Sequence, residues 1–173
     1  MKTQQAPEFK VAKTIKLGVG PKNGREFQGA LKAKGIQIYS WVPDILQERD
    51  WEVAKEETEI DLYFASTGEL GFEHKPTREK VYQRVEELGY DKCPYEAVPQ
   101  LVLQWDNQPL GSYYNFVTGP ICVQGVDGPG TLILTTSHHT GCSRSLGCHY
   151  ETDKDRWYED VIWIFVKRKK KAD

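Results

Sequence analysis

Hydrophobic and polar positions in the first half of the chain indicate short helices alternating with short strands. Apolar residues recur at three- and four-residue spacing over residues 77–88, which predicts the clearest helix. Shorter patterns of the same kind predict helices over residues 25–34 and 41–46. Strict alternation of polar and apolar residues predicts a half-buried strand over residues 59–65 and a short first strand over 14–19.

The second half of the chain has a different pattern, typical of strands joined by tight turns. Apolar and β-branched runs separated by Gly, Pro, Asp and Asn predict five strands, over residues 101–105, 113–117, 120–124, 131–136 and 160–167. Consecutive short strands of this kind favour an antiparallel meander. Residues 161–165 show no polar alternation, so this strand is expected to lie centrally with both faces covered.

Together these patterns predict a single α+β domain over residues 1–173, in which N-terminal helices pack on a mainly antiparallel sheet of about four to six strands. The predicted order is a loose arm (1–10), a mostly helical half (11–92), a β meander (93–168) and a basic tail (169–173).

The composition is that of a globular chain. Of 173 residues, 39% are hydrophobic and 28% are charged, and the polar N-terminus lacks the apolar stretch of a secretion signal. A cytoplasmic protein without a membrane segment is therefore expected, with its four cysteines as thiols. A net charge of −2 gives no general attraction to nucleic acid, so such contacts are expected at most from the basic tail. A protein partner and a homo-oligomer both stay open.

One block of sequence resembles a known family. The helix ending in Leu88-Gly89-Tyr90 is followed by Cys93-Pro94-Tyr95-Glu96, by Leu101-Val102-Leu103 and by Gln108-Pro109. This order is similar to that of an uncharacterised bacterial protein family with a Leu-Gly-Leu, Cys-Pro-Ala-Glu, Leu-Arg-Leu and Gln-Pro block. Val102 stands where that family has arginine. The resemblance implies a shared fold and a bacterial origin, and because the family has no assigned activity it implies no mechanism.

A cluster of cysteines and histidines before the last predicted strand forms a candidate metal site. Thiolates and imidazoles are ligands that zinc prefers, and such a site would also order a long loop. The candidate ligands are His138, His139, Cys142, Cys148 and His149. Their spacing lacks the usual Cys-x-x-Cys or His-x-x-x-His intervals, so a solvated loop without metal is the competing interpretation. A cysteine nucleophile beside a histidine base is a further hypothesis for the same segment.

A second candidate site is a polar and aromatic face of the predicted sheet. Its residues are Glu96, Gln100, Gln104, Gln108 and Tyr114. Amide and aromatic side chains on one sheet face can carry a protein partner or stack bases, although aromatic sheet faces also occur as ordinary core.

Two functional hypotheses follow from the sequence. The leading one is a small binding or interaction module without a catalytic centre, because no nucleophile, acid and base occur at interpretable spacing. The alternative is a zinc-dependent hydrolase or nuclease that uses residues 138–149. Whether the protein is an enzyme stays open.

Overall fold

The computed structural model describes residues 7–39, 41–47, 52–121, 123 and 131–169. The helices are α1 (Gly24–Ala33), α2 (Val42–Ile45), α3 (Arg78–Glu87) and α4 (Ala97–Gln104). The strands are β1 (Val11–Leu17), β2 (Gln37–Ile38), β3 (Thr58–Ser66), β4 (Tyr90–Asp91), β5 (Ser112–Phe116), β6 (Thr131–His138), β7 (Arg144–Glu151) and β8 (Ile162–Lys167). No helix in these ranges is both long and apolar enough to cross a membrane.

All eight strands in the described ranges belong to one mixed sheet. Its order is β1-β3-β8-β5-β6-β7-β2, and β4 pairs with the end of β8. The β5–β8 and β2–β7 pairs are parallel, whereas the other pairs are antiparallel. The last strand of the chain therefore lies between β3 and β5, and the prediction of a central final strand is confirmed.

The predicted architecture is wrong in three respects. The sheet has eight strands rather than four to six, and it is mixed rather than mainly antiparallel. The first half contributes four of the strands, so it is not a helical layer packed on a C-terminal meander. Residues 101–105, predicted as a strand, belong almost entirely to α4. The predicted strand over 120–124 lies partly outside the described residues, as does most of the basic tail.

The error at α4 has a physical cause. Every residue from Ala97 to Leu103 is buried, because the helix packs between α1, β1 and β7. A helix that is apolar nearly all round loses the 3.6-residue period and resembles a buried strand in sequence. Pro99 lies in the first turn, where the missing N–H costs little.

The sheet separates two hydrophobic cores. One face, here called the α4 face, packs against α1, α2 and α4 through Leu62, Phe116, Leu134 and Ile164. The opposite face, here called the α3 face, packs against α3 and the segment 152–161 through Tyr63, Ile133, Trp163 and Phe165. Because strand side chains alternate between faces, neighbouring residues of β8 contribute to both cores.

The predicted loose arm is partly docked. Residues 1–6 lie outside the described residues, but Phe9 packs against the rings of Tyr90 and Phe165 with centroid distances of 5.5 and 5.6 Å. The backbone N–H of Phe9 also donates to the Tyr90 hydroxyl at 3.1 Å. This end of the chain therefore covers part of the α3 face.

Candidate ligand-binding pocket

The α3 face is polar where it crosses β5, β6 and β7. Strand alternation and register place one set of side chains there: Tyr113, Asn115, Thr135, Ser137, Ser145, His149 and Glu151. Most of these polar side chains are buried. The same face of the neighbouring β8 carries the apolar side chains of Trp163 and Phe165. Buried polar side chains are expected to be hydrogen-bonded, so each one requires a partner.

Several of these side chains satisfy each other across the strands. The Ser137 and Ser145 hydroxyl oxygens lie 2.7 Å apart, and the Tyr113 hydroxyl lies 3.2 Å from Nδ1 of His149. The first contact joins the neighbouring strands β6 and β7, and the second joins β5 and β7 across β6, on the same face. They account for the polar character of part of the surface, but not for Asn115.

Asn115 is the exception. Its side chain is 0% exposed, between Thr135 on β6 and Trp163 on β8. Neither its Oδ1 nor its Nδ2 has a hydrogen-bond partner among the described residues. Burying such groups without a partner costs roughly 1–3 kcal/mol for each unsatisfied group. The fold therefore holds a costly amide at a position where an apolar side chain would pack.

Asn115 is one of the residues that line a pocket. This pocket has a volume of about 330 Å³ and is lined by residues 111–115, Trp157 and residues 160–162. Hereafter it is called the Asn115 pocket. It lies where the parallel strands β5 and β8 both begin, and its size is at the small end for ligand sites.

Trp157 forms a fixed wall of the pocket. Its backbone N–H donates to the Pro76 carbonyl at 3.0 Å, and its indole Nε1 donates to Oε2 of Glu151 at 3.0 Å. Its ring contacts the rings of Trp163 and His149, with centroids 5.0 and 5.2 Å away. An aromatic side chain with three contacts of its own and a fixed backbone is pre-organised to contact a ligand.

The carboxyl group that holds Trp157 has an unusual environment. Glu151 is 3% exposed, and its Oε1 lies 2.6 Å from Nε of Arg78 in an ion pair whose angle is outside hydrogen-bond geometry. Burial raises the pKa of Glu151 to about 7, although the positive charge of Arg78 opposes this shift. Arg78 also forms an ion pair with Glu79, with its Nη2 2.6 Å from Oε1 of Glu79.

The tyrosine and histidine beside the pocket are both held in their neutral forms near pH 7. Burial raises the pKa of the Tyr113 hydroxyl, and burial lowers the pKa of His149. His149 Nε2 is buried without a hydrogen-bond partner among the described residues. The Tyr113 and His149 side chains are therefore dipoles rather than charges.

Two other concavities are larger than the Asn115 pocket, but their side chains give weaker support for a ligand site. A groove of about 770 Å³ lies at the end of β8, and its charged side chains include Glu96, Lys167 and Arg168. These already have partners: Glu96 accepts from Gly18 N, Lys167 lies 3.8 Å from Glu8, and Arg168 donates to backbone carbonyls. A third concavity of about 510 Å³ shares the Trp157 wall and is lined by residues 72–75 and 157–159.

The structure does not bring the predicted metal ligands together at one site. The segment is the end of β6, a turn and the strand β7, rather than a long loop. His138 pairs with Arg144 in the β6–β7 ladder, whereas His149 pairs with Ile133 five residues further along. Cys148 and His149 are adjacent on one strand and therefore face opposite sides of the sheet.

The individual contacts of these residues are also separate. Nδ1 of His138 lies 2.7 Å from the Gln108 carbonyl oxygen, while His139 and Cys142 are exposed in the turn. No group of three or more His, Cys, Asp or Glu side chains with metal-site geometry occurs in the part of the chain that the structure describes. Burial raises the pKa of Cys148 to about 11, which disfavours the thiolate that a nucleophile requires.

Three residues of the predicted polar surface form a ladder along α4. Glu96, Gln100 and Gln104 recur every four residues, so they share one side of the helix. Gln104 accepts from Lys16 N at 2.9 Å and donates to Lys16 O at 2.8 Å. A residue of a neighbouring strand would make the same pair of hydrogen bonds with its backbone. This row of side chains covers the outer edge of β1, beside which no strand of the described residues lies.

The ladder continues to the end of β1. Gln100 donates to the Val19 carbonyl at 2.8 Å and to Glu96 at 3.1 Å. The Glu96 carboxylate accepts from the backbone N–H groups of Gly18 and Ala54, each at 2.7 Å. These contacts join α4, β1 and the segment before β3.

The other two residues of that predicted surface are also internal. Gln108 donates to Ser112 and accepts from Thr136, and Tyr114 packs against the rings of Phe64 and Trp105. Of the five residues, only Gln104 is exposed. The structure thus places them between elements rather than on one open surface.

The sequence contained two signals for the pocket. Tyr113 and Asn115 alternate with Tyr114 and Phe116 in a predicted strand, so a lone amide was recognisable on one strand face. The alternation of Ser145, Gly147, His149 and Glu151 with apolar residues also marks β7 as a strand. Trp157 had no signal, because it lies in a segment without regular structure.

Comparison of the chain with protein-family models, with curated proteins and with solved structures found no match. The resemblance to a bacterial family therefore stays an expectation, and the functional argument depends on the geometry of the pocket.

Proposed function

We propose that this protein is a small binding module that holds a small molecule in the Asn115 pocket. The observation that carries the proposal is the buried amide of Asn115, which has no partner for its donor or its acceptor among the described residues and which belongs to a residue of the pocket lining. A ligand that hydrogen-bonds to this amide would remove the cost of its burial.

The construction of the wall supports the same proposal. Trp157 is fixed by hydrogen bonds to Pro76 and Glu151 and by two ring contacts, although it lies in a segment without helix or strand. Fixing a side chain before the ligand arrives lowers the entropy cost of binding. An amide to orient the ligand and an aromatic wall to contact it are the usual components of a small-molecule site.

The alternative of a zinc-dependent hydrolase or nuclease stays a prediction. Its five candidate ligands are spread over two strands and a turn, and the neutral Tyr113–His149 pair has no nucleophile assigned to it. Elemental analysis of protein purified without chelator tests this alternative, since near-stoichiometric zinc would support it.

The proposal is tested by NMR with four small probes: benzamide, phenol, indole and 2-pyridone. We expect at least one of them to shift the side-chain amide signals of Asn115 and the indole N–H signal of Trp157 in a saturable manner. The same titration with Asn115→Leu, which keeps the size of the side chain but removes its polar atoms, is expected to show no saturable shift at Trp157.

The control variant is Thr136→Val. Thr136 is a buried polar residue on β6 whose hydroxyl oxygen lies 3.2 Å from Oε1 of Gln108 and 3.0 Å from the Ser145 carbonyl oxygen. Its one proton therefore already has an acceptor, and loss of the hydroxyl is not expected to affect probe binding. If none of the four probes shifts Asn115 at millimolar concentration, or if shifts occur only around the groove at the end of β8, the proposal is wrong.

A further inference from the structure

We infer that the ligand of the Asn115 pocket is a neutral planar ring that carries a hydrogen-bond donor beside an acceptor, as a lactam or a ring carboxamide does. This inference rests on the proposed function of the same pocket and specifies the chemical class of its ligand.

The first argument concerns the free groups of Asn115. A carboxamide presents an acceptor, Oδ1, and a donor, Nδ2, side by side in one plane, and both are unpaired here. The partner that satisfies both at once must offer a donor and an acceptor with the same spacing. Paired recognition of this kind is how an asparagine side chain recognises a heterocyclic edge.

The second argument concerns charge. The residues that line the pocket in the described part of the chain include no lysine, arginine or histidine, and the one ionisable carboxyl group among them is that of Asp160, which is exposed at the rim. Arg78, which contacts the same Glu151 carboxyl group as Trp157, is already paired with Glu151 and Glu79. An anionic ligand such as a phosphate or carboxylate would find no counter-charge among these lining residues, whereas a neutral ligand needs none.

The third argument concerns shape. Tyr113 and Trp157 give the pocket two aromatic walls, and its volume of about 330 Å³ suits one small ring system. Flat rings contact aromatic walls over a large area and lose few internal rotations on binding. A flexible aliphatic amide would meet the hydrogen-bonding requirement but not this one.

Three matched probes separate the hydrogen-bonding edge from the ring. 2-Pyridone has the lactam edge, 1-methyl-2-pyridone keeps the ring and the carbonyl group but lacks the donor, and toluene has a ring without either group. Titrations of the full chain are followed through the Asn115 side-chain amide and Trp157 indole signals.

We expect 2-pyridone to bind at least about tenfold more tightly than 1-methyl-2-pyridone, because blocking the donor leaves Oδ1 of Asn115 unpaired. Asn115→Leu, followed through the Trp157 indole signal, is expected to bind neither probe saturably, because both lose their contacts with the Asn115 amide. Similar affinities of all three probes for wild-type protein would overturn the inference while the proposed binding function remained. If no probe binds at the pocket, both the inference and the proposed function fail.

Discussion

Two opposing influences act on the carboxyl group of Glu151. Burial favours the protonated acid and raises its pKa to about 7, while Arg78 at 2.6 Å favours the carboxylate. Glu79 and Asp155 add negative charge nearby and support the upward shift. The group therefore titrates near neutral pH, while it also accepts the indole hydrogen bond that fixes Trp157.

This shift predicts a pH dependence of stability. Because the pKa is higher in the folded state than its ordinary value of 4.5, the contribution of Glu151 is fully present below about pH 4.5 and is lost as the pH rises through about 7. Glu151→Gln cannot ionise. We expect the wild-type free energy of unfolding, relative to that of Glu151→Gln, to fall by on the order of 2 kcal/mol between about pH 5 and pH 8.

Urea denaturation of both proteins at the two pH values measures this difference, and the comparison with Glu151→Gln cancels the titration of distant groups. A difference that does not change with pH would show that Arg78 keeps Glu151 ionised throughout.

At the scale of the elements, α4 has a role that strands usually perform. β1 lies at the end of the sheet, and its outer edge meets side-chain amides of a helix instead of another backbone. An open edge is a site for unwanted pairing with other chains, and covering it with a helix is one way to avoid this. The ladder of Glu96, Gln100 and Gln104 therefore stabilises the fold and protects one end of the sheet.

We predict a local effect from Gln104→Met. The substitution keeps the length of the side chain but removes both hydrogen-bond partners of the Lys16 backbone. We expect the free energy of unfolding to fall by about 0.5–1.5 kcal/mol. The loss is limited because water can replace part of the contact at this exposed position. Hydrogen exchange of the Lys16 amide is expected to become faster.

The matched control is Gln83→Met on α3, where the amide donates to Glu87 one turn away at 2.9 Å. It is expected to change stability by less than about 0.5 kcal/mol and to leave Lys16 exchange unaltered. Equal effects of the two variants would contradict the assigned role of the ladder.

The elements also show where sequence patterns are informative. Helices α1 and α3 and strand β3 each have one exposed face and one buried face. Their predicted boundaries differ from the observed ones by no more than about two residues. α4 has no wet face wide enough to reveal its period, although Glu96, Gln100 and Gln104 at four-residue spacing were a helical signal. Residues 144–151 form β7 rather than a loop, although Ser145, Gly147 and His149 are weak indicators of a strand.

At the scale of the whole molecule, the position of β8 determines both the fold and the site. This strand closes the sheet by entering between β3 and β5, so the first and second halves of the chain form one sheet rather than two layers. Its continuous apolar sequence predicted burial on both faces, but not which strands it would join, because pairing partners are selected by distant parts of the chain. For the same reason the parallel β5–β8 pair could not be predicted.

The Asn115 pocket is a consequence of that topology. It lies where β5 and β8 begin side by side, and residues far apart in sequence, Tyr113, Asn115 and Trp157, meet there. The amide of Asn115 was visible in the sequence, but its isolation was not, because a missing hydrogen-bond partner is a property of the packed structure.

The most direct test of the central claim, that Asn115 is retained for a ligand rather than for the fold, is the free energy of unfolding of Asn115→Leu without ligand. We predict that this variant is more stable than wild type by about 1–3 kcal/mol, because an unpaired buried amide is replaced by an apolar side chain of similar size. The Thr136→Val control, which removes a satisfied buried hydroxyl, is expected to be less stable by about 1 kcal/mol. If Asn115→Leu loses as much stability as Thr136→Val, Asn115 has a structural role and the claim is contradicted.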